Sequence, residues 1–171
     1  KSVGLLQVRG RSFSTRREHW VMAKIYRKID IHAPVEKVYR YLDDPENLHS
    51  WMQNVVVVKN VRGTGDGTRY TVLENMAGVP VRGEFEVIED LPDDQIVLKS
   101  RGDIESLWSF RFEHHPGDVT TLDLDVDYRV PALVLEKVPE QDIIRRNERD
   151  LDASLHYLRE RLELMYSNMK A

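Results

Sequence analysis

Between Val55 and Tyr128 the chain repeats one pattern six times: a short strand-like run, dense and β-branched in the first and alternating apolar and polar in the others, then a turn signal. The runs are Val55–Val61, Arg69–Met76, Val81–Asp90, Gln95–Arg101, Ile104–His115 and Val119–Tyr128. Side chains on a strand point alternately to opposite faces, so each run after Val55–Val61 has one wet and one apolar face. Turn residues such as Ala77-Gly78-Val79-Pro80 and Leu91-Pro92-Asp93-Asp94 separate the runs. Connections this short join antiparallel neighbours, which makes the region a meander with one buried face. An earlier run, Ala23–His32, adds a seventh strand with Ile25, Ile29 and Ile31 on one face, interrupted by Arg27.

The apolar face needs a cover. Pro139-Glu140 opens a helix that extends to about Asn168, with Ile144, Leu151, Leu155, Leu158, Leu162 and Met165 on one stripe. At 1.5 Å per residue it reaches roughly 45 Å, long enough to cross the sheet. Near the start, Pro34 precedes Val35, Val38, Tyr39 and Leu42 at helical spacing. Asp43-Asp44-Pro45 ends that helix, because a residue before proline is pushed out of the helical region. A second short helix through Glu46–His49 delivers Trp51.

This order of elements, with APVEKVYRYLDDPENLHSWM (33–52), GDGTRYTV (65–72), VIEDLPDDQIVLKS (87–100), LDLDVDYRVPA (122–132) and RNERDLDASLHYLRERLE (146–163), resembles the START-related helix-grip (SRPBCC) superfamily. Within it the chain looks most like the polyketide cyclase/dehydrase-like subgroup. The resemblance implies an α+β fold: a curved antiparallel sheet of about seven strands, in the order β-α-α-β6-α, wrapped around the C-terminal helix. It also implies a hydrophobic cavity between sheet and helix for a lipid, isoprenoid or aromatic, polyketide-like ligand. Some relatives with this pattern are enzymes and others carry or sense.

Composition bounds the function. Of 171 residues, 25 are Lys or Arg and 29 are Asp or Glu. Residues 1–22 hold five bases and one acid, which leaves 20 bases and 28 acids in 23–171, a net charge of −8. A body so acidic repels phosphates, so nucleic acid is not an expected partner. The basic leader 1–22 reads as a tag remnant or an over-extended start before a native Met22, as an arm packed on the domain, or as a targeting peptide. The domain is then 23–171. With no apolar run of spanning length and no cysteine, a cytoplasmic setting is expected, without disulfides or thiolate chemistry. The sequence leaves the oligomeric state open.

The alternation assigns an inner lining: Tyr70, Val72, Met76, Phe85, Leu98, Trp108, Phe110, Phe112, Leu124 and Tyr128, joined by Trp51 and, from the long helix, Asn147 and Leu151. These are ligand-binding candidates; plain core packing is the competing reading. Glu74 shares that face between Val72 and Met76. A carboxyl facing an apolar cavity has a raised pKa and suits general acid–base work, with Tyr70 or Tyr128 as proton-transfer partners. The alternatives place Glu74 in water or pair it with an arginine; Arg27 is the matching cation, or else it snorkels to the rim. Gly83, in mid-strand on the inner face, marks a bend or a close approach.

Other features carry no chemistry. His114-His115 are strand neighbours on opposite faces, and there is no H-E-x-x-H, so no metal or cofactor is expected. His49 sits near Trp51 as a polar rim residue. Ser100 and Ser106 point inward without the flanking residues of a nucleophile elbow. Gly63–Gly67 is followed by a strand instead of a helix, so it is a turn and not a phosphate loop. Asp123, Asp125 and Asp127 alternate on the outer face, where basic neighbours such as Arg111 offset their repulsion.

Overall fold

A computed structural model describes residues 21–171. The expectations for the leader, as far as residue 20, lie outside the described residues. The sheet has seven antiparallel strands: β1 (Met22–Ile31), β2 (Val55–Arg62), β3 (Arg69–Met76), β4 (Val79–Leu91), β5 (Gln95–Gly102), β6 (Glu105–His115) and β7 (Val119–Arg129). Their spatial order is β1-β7-β6-β5-β4-β3-β2, so the meander is broken only where β1 returns to pair with β7. Helices α1 (Val35–Asp43) and α2 (Leu48–Trp51) fill the β1–β2 connection, a 3-10 turn at Pro45–Asn47 between them. A short α3 (Ala132–Leu135) precedes α4 (Glu140–Lys170), whose 31 residues span about 46 Å. This is the α+β helix-grip architecture.

Local chemistry sets the boundaries. The Asp44 side chain accepts a hydrogen bond from the Glu46 backbone N–H at 3.0 Å and starts the turn that ends α1. Ten consecutive pairs join β1 to β7, beginning at Met22 opposite Arg129. Val21 adds a further link, its carbonyl accepting from the Val130 N–H at 2.9 Å. Residues 21 and 22 therefore belong to the folded unit.

Register shifts interrupt β2 against β3, between Val55 and Val57 and between Lys59 and Arg62, and β4 against β5 between Val87 and Glu89. Bulges of this kind bend a strand and increase its twist. All three lie in the β2–β5 half of the sheet and curve it there.

The core lies between the concave face and the helices. Ile31, Val38, Val72, Leu122, Ile143 and Leu158 are fully enclosed. The helix stripe departs from the sequence reading at both ends. Ile143, not Ile144, is the enclosed residue, and Met165 is exposed.

Polar ties fix α4 at several points. Asp152 receives Arg27 of β1, the Ser154 Oγ accepts from the Gln53 N–H at 3.1 Å, and Glu163 accepts from the His32 N–H at 2.9 Å. Tyr166 donates to Asp118 in the β6–β7 turn.

The outer face is wet. Arg111 meets Asp125 at 2.9 Å, Tyr26 donates to Asp123 at 2.6 Å, and Lys24 lies 3.5 Å from Asp127. Exposed pairs like these contribute at most about 1 kcal/mol each, so this ladder solvates the face more than it stabilises the fold.

Candidate functional site

Beneath the first half of α4, a pocket opens between the helix and the concave face. It holds about 520 Å³ of atom-free space with its open mouth included, and a cavity volume of about 50 Å³. The second figure corresponds to a few water molecules. The interior is therefore narrow, and an occupant larger than that must spread the walls or extend through the mouth.

Five strands and α4 supply most of the walls. Glu74 and Met76 come from β3, Phe85 from β4, Trp108 and Ser106 from β6, Val126 and Tyr128 from β7, and Ile25 from β1. Asn147, Asp150 and Leu151 hang from α4, while Met52 and Asn54 close the side next to α2. Ile104, in the β5–β6 connection, completes the lining.

Glu74 is the unusual member. It is 8% exposed, and its strand neighbours in register are Val55 and Val81. Among the described residues its carboxyl has no hydrogen-bond or ion-pair partner. Desolvation alone pushes its pKa up to about 7 from 4.5. The sequence offered Arg27 as a mate, but Arg27 is held by Asp152 instead, with its Nη2 at 3.3 Å from Oδ2. β1 packs along α4, and the helix supplies the nearer acid.

The other polar groups are organised. Asn147 donates to the Tyr128 hydroxyl at 3.1 Å. Burial raises the Tyr128 pKa, and the Asn147 hydrogen bond opposes that rise. Beside it runs a short relay: Trp108 Nε1 donates to Ser106 Oγ at 3.1 Å, Ser106 and Ser100 hydroxyls lie 2.6 Å apart, and Ser100 Oγ donates to the Ile104 carbonyl at 2.8 Å. The Ser100 hydrogen is committed to that carbonyl, so Ser106 must donate to Ser100. Ser106, a lining residue, then has only a lone pair left and no hydrogen to donate.

Of the residues expected to line a cavity, the structure gathers Glu74, Met76, Phe85, Trp108, Tyr128, Asn147 and Leu151 around this space. It places Trp51, Tyr70, Val72, Leu98, Phe110, Phe112 and Leu124 away from it. Tyr70 stacks on Phe85 with ring centroids 5.6 Å apart and supports the wall from behind; burial, and secondarily the charge of Asp43, raise its pKa. Its hydroxyl is therefore not placed to exchange protons with Glu74 through the pocket. His49 is exposed and outside the lining.

Sequence reasoning did not mark Asp150, Asn54, Met52, Ile25, Ile104 and Val126 as lining residues. Asp150 had a readable signal, because it follows Asn147 by three residues and so shares its helix face. Gly83 makes a close approach: a Cβ there would lie 2.9 Å from the Phe85 ring and 3.2 Å from the Ile104 side chain. Its bareness lets both wall residues sit where they do. Among the described residues no cluster of His, Asp and Glu is placed to hold a metal ion.

A curved seven-stranded sheet gripping one long helix, with an apolar pocket between them, defines the START-related helix-grip class of protein. The family model described as polyketide cyclase / dehydrase and lipid transport matches residues 22–163, and the chain belongs to that family. Solved structures agree in fold. TTHA0849 from Thermus thermophilus is 22% identical with a TM-score of 0.70, over 82% of this chain and 97% of that one. The Zhui aromatase/cyclase from Streptomyces sp. R1128 is 16% identical with a TM-score of 0.69, over 84% and 94%. A START superfamily protein from Mycobacterium smegmatis is 16% identical with a TM-score of 0.62, over 85% and 98%. No curated protein matches the chain. Among the described residues no helix is long and apolar enough to cross a membrane.

Proposed function

We propose that this protein binds a hydrophobic small molecule in the pocket between the concave sheet and α4. The observation that carries this reading is the wall itself: Ile25, Met52, Met76, Phe85, Ile104, Trp108, Val126 and Leu151 converge on a space that the fold leaves unfilled, with a few polar groups among them. Pockets for small ligands have this composition, an apolar surround with sparse polar groups that fix orientation. The family description, which joins lipid transport with polyketide cyclisation, supports the same class of ligand. The narrow interior means that affinity is limited by the cost of opening it, so a flat or slender ligand is favoured.

The test uses N-phenyl-1-naphthylamine, a neutral apolar fluorophore. Its emission should rise saturably with one site per chain. An Asn147→Phe variant, which fills the space from the α4 side, should weaken that binding by at least about tenfold. Unsaturable emission, or binding that the variant leaves untouched, overturns the reading.

A second reading, turnover of the ligand, is favoured by one observation. A buried carboxyl with a pKa of about 7 gives and takes a proton at neutral pH with little penalty in either direction. In a cyclase or dehydratase Glu74 would move a proton at an enolisable carbon, with the Tyr128 hydroxyl, carried by Asn147, hydrogen-bonded to the carbonyl oxygen. A Glu74→Gln variant that keeps full turnover on a model polyketide excludes that role.

A further inference from the structure

The pocket has a charge signature that its apolar walls do not require. Two carboxyls reach it, Glu74 from β3 and Asp150 from α4, and among the described residues no Lys, Arg or His lines it. Two basic groups of the surrounding elements are engaged elsewhere. Arg27 on β1 is held by Asp152, and Arg146 on α4 reaches the Ala77 carbonyl at 3.4 Å, over the β3–β4 turn. The hydrogen-bonding capacity is mixed but rich in acceptors: Tyr128, whose hydroxyl accepts from Asn147, keeps its own hydrogen to donate. Ser106 offers only a lone pair, and an ionised Glu74 or Asp150 accepts and cannot donate. Aromatic faces complete the setting, with Phe85, Trp108 and Tyr128 in the wall.

Three kinds of apolar ligand would fare differently here. An anion brings a second unpaired charge of the same sign into a space that already desolvates one. A neutral molecule leaves an ionised Glu74 uncompensated. An ammonium group supplies a countercharge and up to three N–H donors for the waiting acceptors, and aromatic faces attract it as well.

We propose that the pocket selects an organic cation: a protonated amine on an apolar or aromatic body, its ammonium held by the carboxyls of Glu74 and Asp150. This deepens the ligand-binding reading and rests on it. It excludes fatty-acid-like anions as preferred ligands of this chain, even though an apolar cavity by itself would accept their tails.

A matched series separates the two claims. 2-Phenylethylamine, 2-phenylethanol and phenylacetate share a ring and differ in the charge of the head group. Their binding to the full chain at about pH 8, where Glu74 is largely ionised, is measured by calorimetry and by competition with N-phenyl-1-naphthylamine. The amine should bind at least about tenfold more tightly than the alcohol, and phenylacetate should bind most weakly. Glu74→Gln should remove most of the amine's advantage over the alcohol. Asp150→Asn, at a half-buried position whose change does not touch the core, should remove part of it and guards against a Glu74 variant that folds poorly. If the alcohol binds and the amine binds no better, the cation proposal is overturned and the pocket reading stands. If none of the three binds and the fluorophore does not either, both fall. An amine preference that survives both substitutions also overturns the proposal.

Discussion

Replacing Glu74 by glutamine should remove a loss of stability that the wild type undergoes as pH rises. Below about pH 4.5 the carboxyl is protonated in the folded and the unfolded chain, and it contributes no pH dependence. Between about 4.5 and 7 the unfolded chain ionises this group while the folded chain keeps its proton. The folded state then binds more protons than the unfolded state, and stability falls as pH rises. Above about 7 both states are ionised and the loss levels off. A displacement from 4.5 to about 7 corresponds to about 3 kcal/mol. Glutamine keeps the shape and never ionises. The variant should therefore match the wild type to within an offset near pH 4.5 and exceed it by about 3 kcal/mol more at pH 8. In urea that difference is a midpoint shift of about 1–3 M. Asp43 titrates in the same window, raised to about 6 by burial and by the neighbouring Asp90, so only the difference between wild type and variant isolates Glu74. Urea unfolding from about pH 4.5 to 8, followed by far-UV circular dichroism, gives the two curves. Parallel curves would refute the reasoning, because they would mean that Glu74 is already ionised in the folded protein and has a partner or water that lowers its cost.

Other substitutions follow from the same geometry. Gly83→Ala puts a methyl 2.9 Å from the Phe85 ring, and should cost about 1–3 kcal/mol in urea unfolding while weakening fluorophore binding, because the ring must move into the pocket. Leu158→Ala, at a fully enclosed position on α4, should cost about 2–5 kcal/mol, and a smaller loss would mean that the helix is not gripped as described. A double-mutant cycle on Arg27 and Asp152 should give a coupling below about 1 kcal/mol that shrinks with added salt, since both side chains are partly exposed.

The strands and the long helix were legible because alternation and helical spacing state directly which face is buried. β3 begins and ends where the alternation of Arg69–Met76 does. What alternation cannot state is depth along a face. Tyr70 and Glu74 share one face of one strand, yet Glu74 opens onto the pocket and Tyr70 is packed against Phe85. The difference depends on where α4 crosses, and that is set by distant ties such as Ser154 to Gln53 and Glu163 to His32. The same limit explains Phe110, Phe112 and Leu124, which face inward but lie in the filled part of the core. Asp150 was missed because an acid in a charged helix reads as solvated unless its angular position relative to Asn147 is weighed. Arg27 broke an apolar face in the sequence for a reason that lies on another element, the carboxylate of Asp152.

The five methionines provide the most direct test of a ligand site under α4. Met52 and Met76 line the pocket, whereas Met22, Met165 and Met169 are exposed at other places on the surface. With the methionine methyl groups labelled by carbon-13, titration with 2-phenylethylamine is followed by NMR. The Met52 and Met76 resonances should shift together and saturate, while those of Met22, Met165 and Met169 stay in place. Shifts confined to Met165 and Met169, or no saturable shift at Met52 and Met76, would contradict the account.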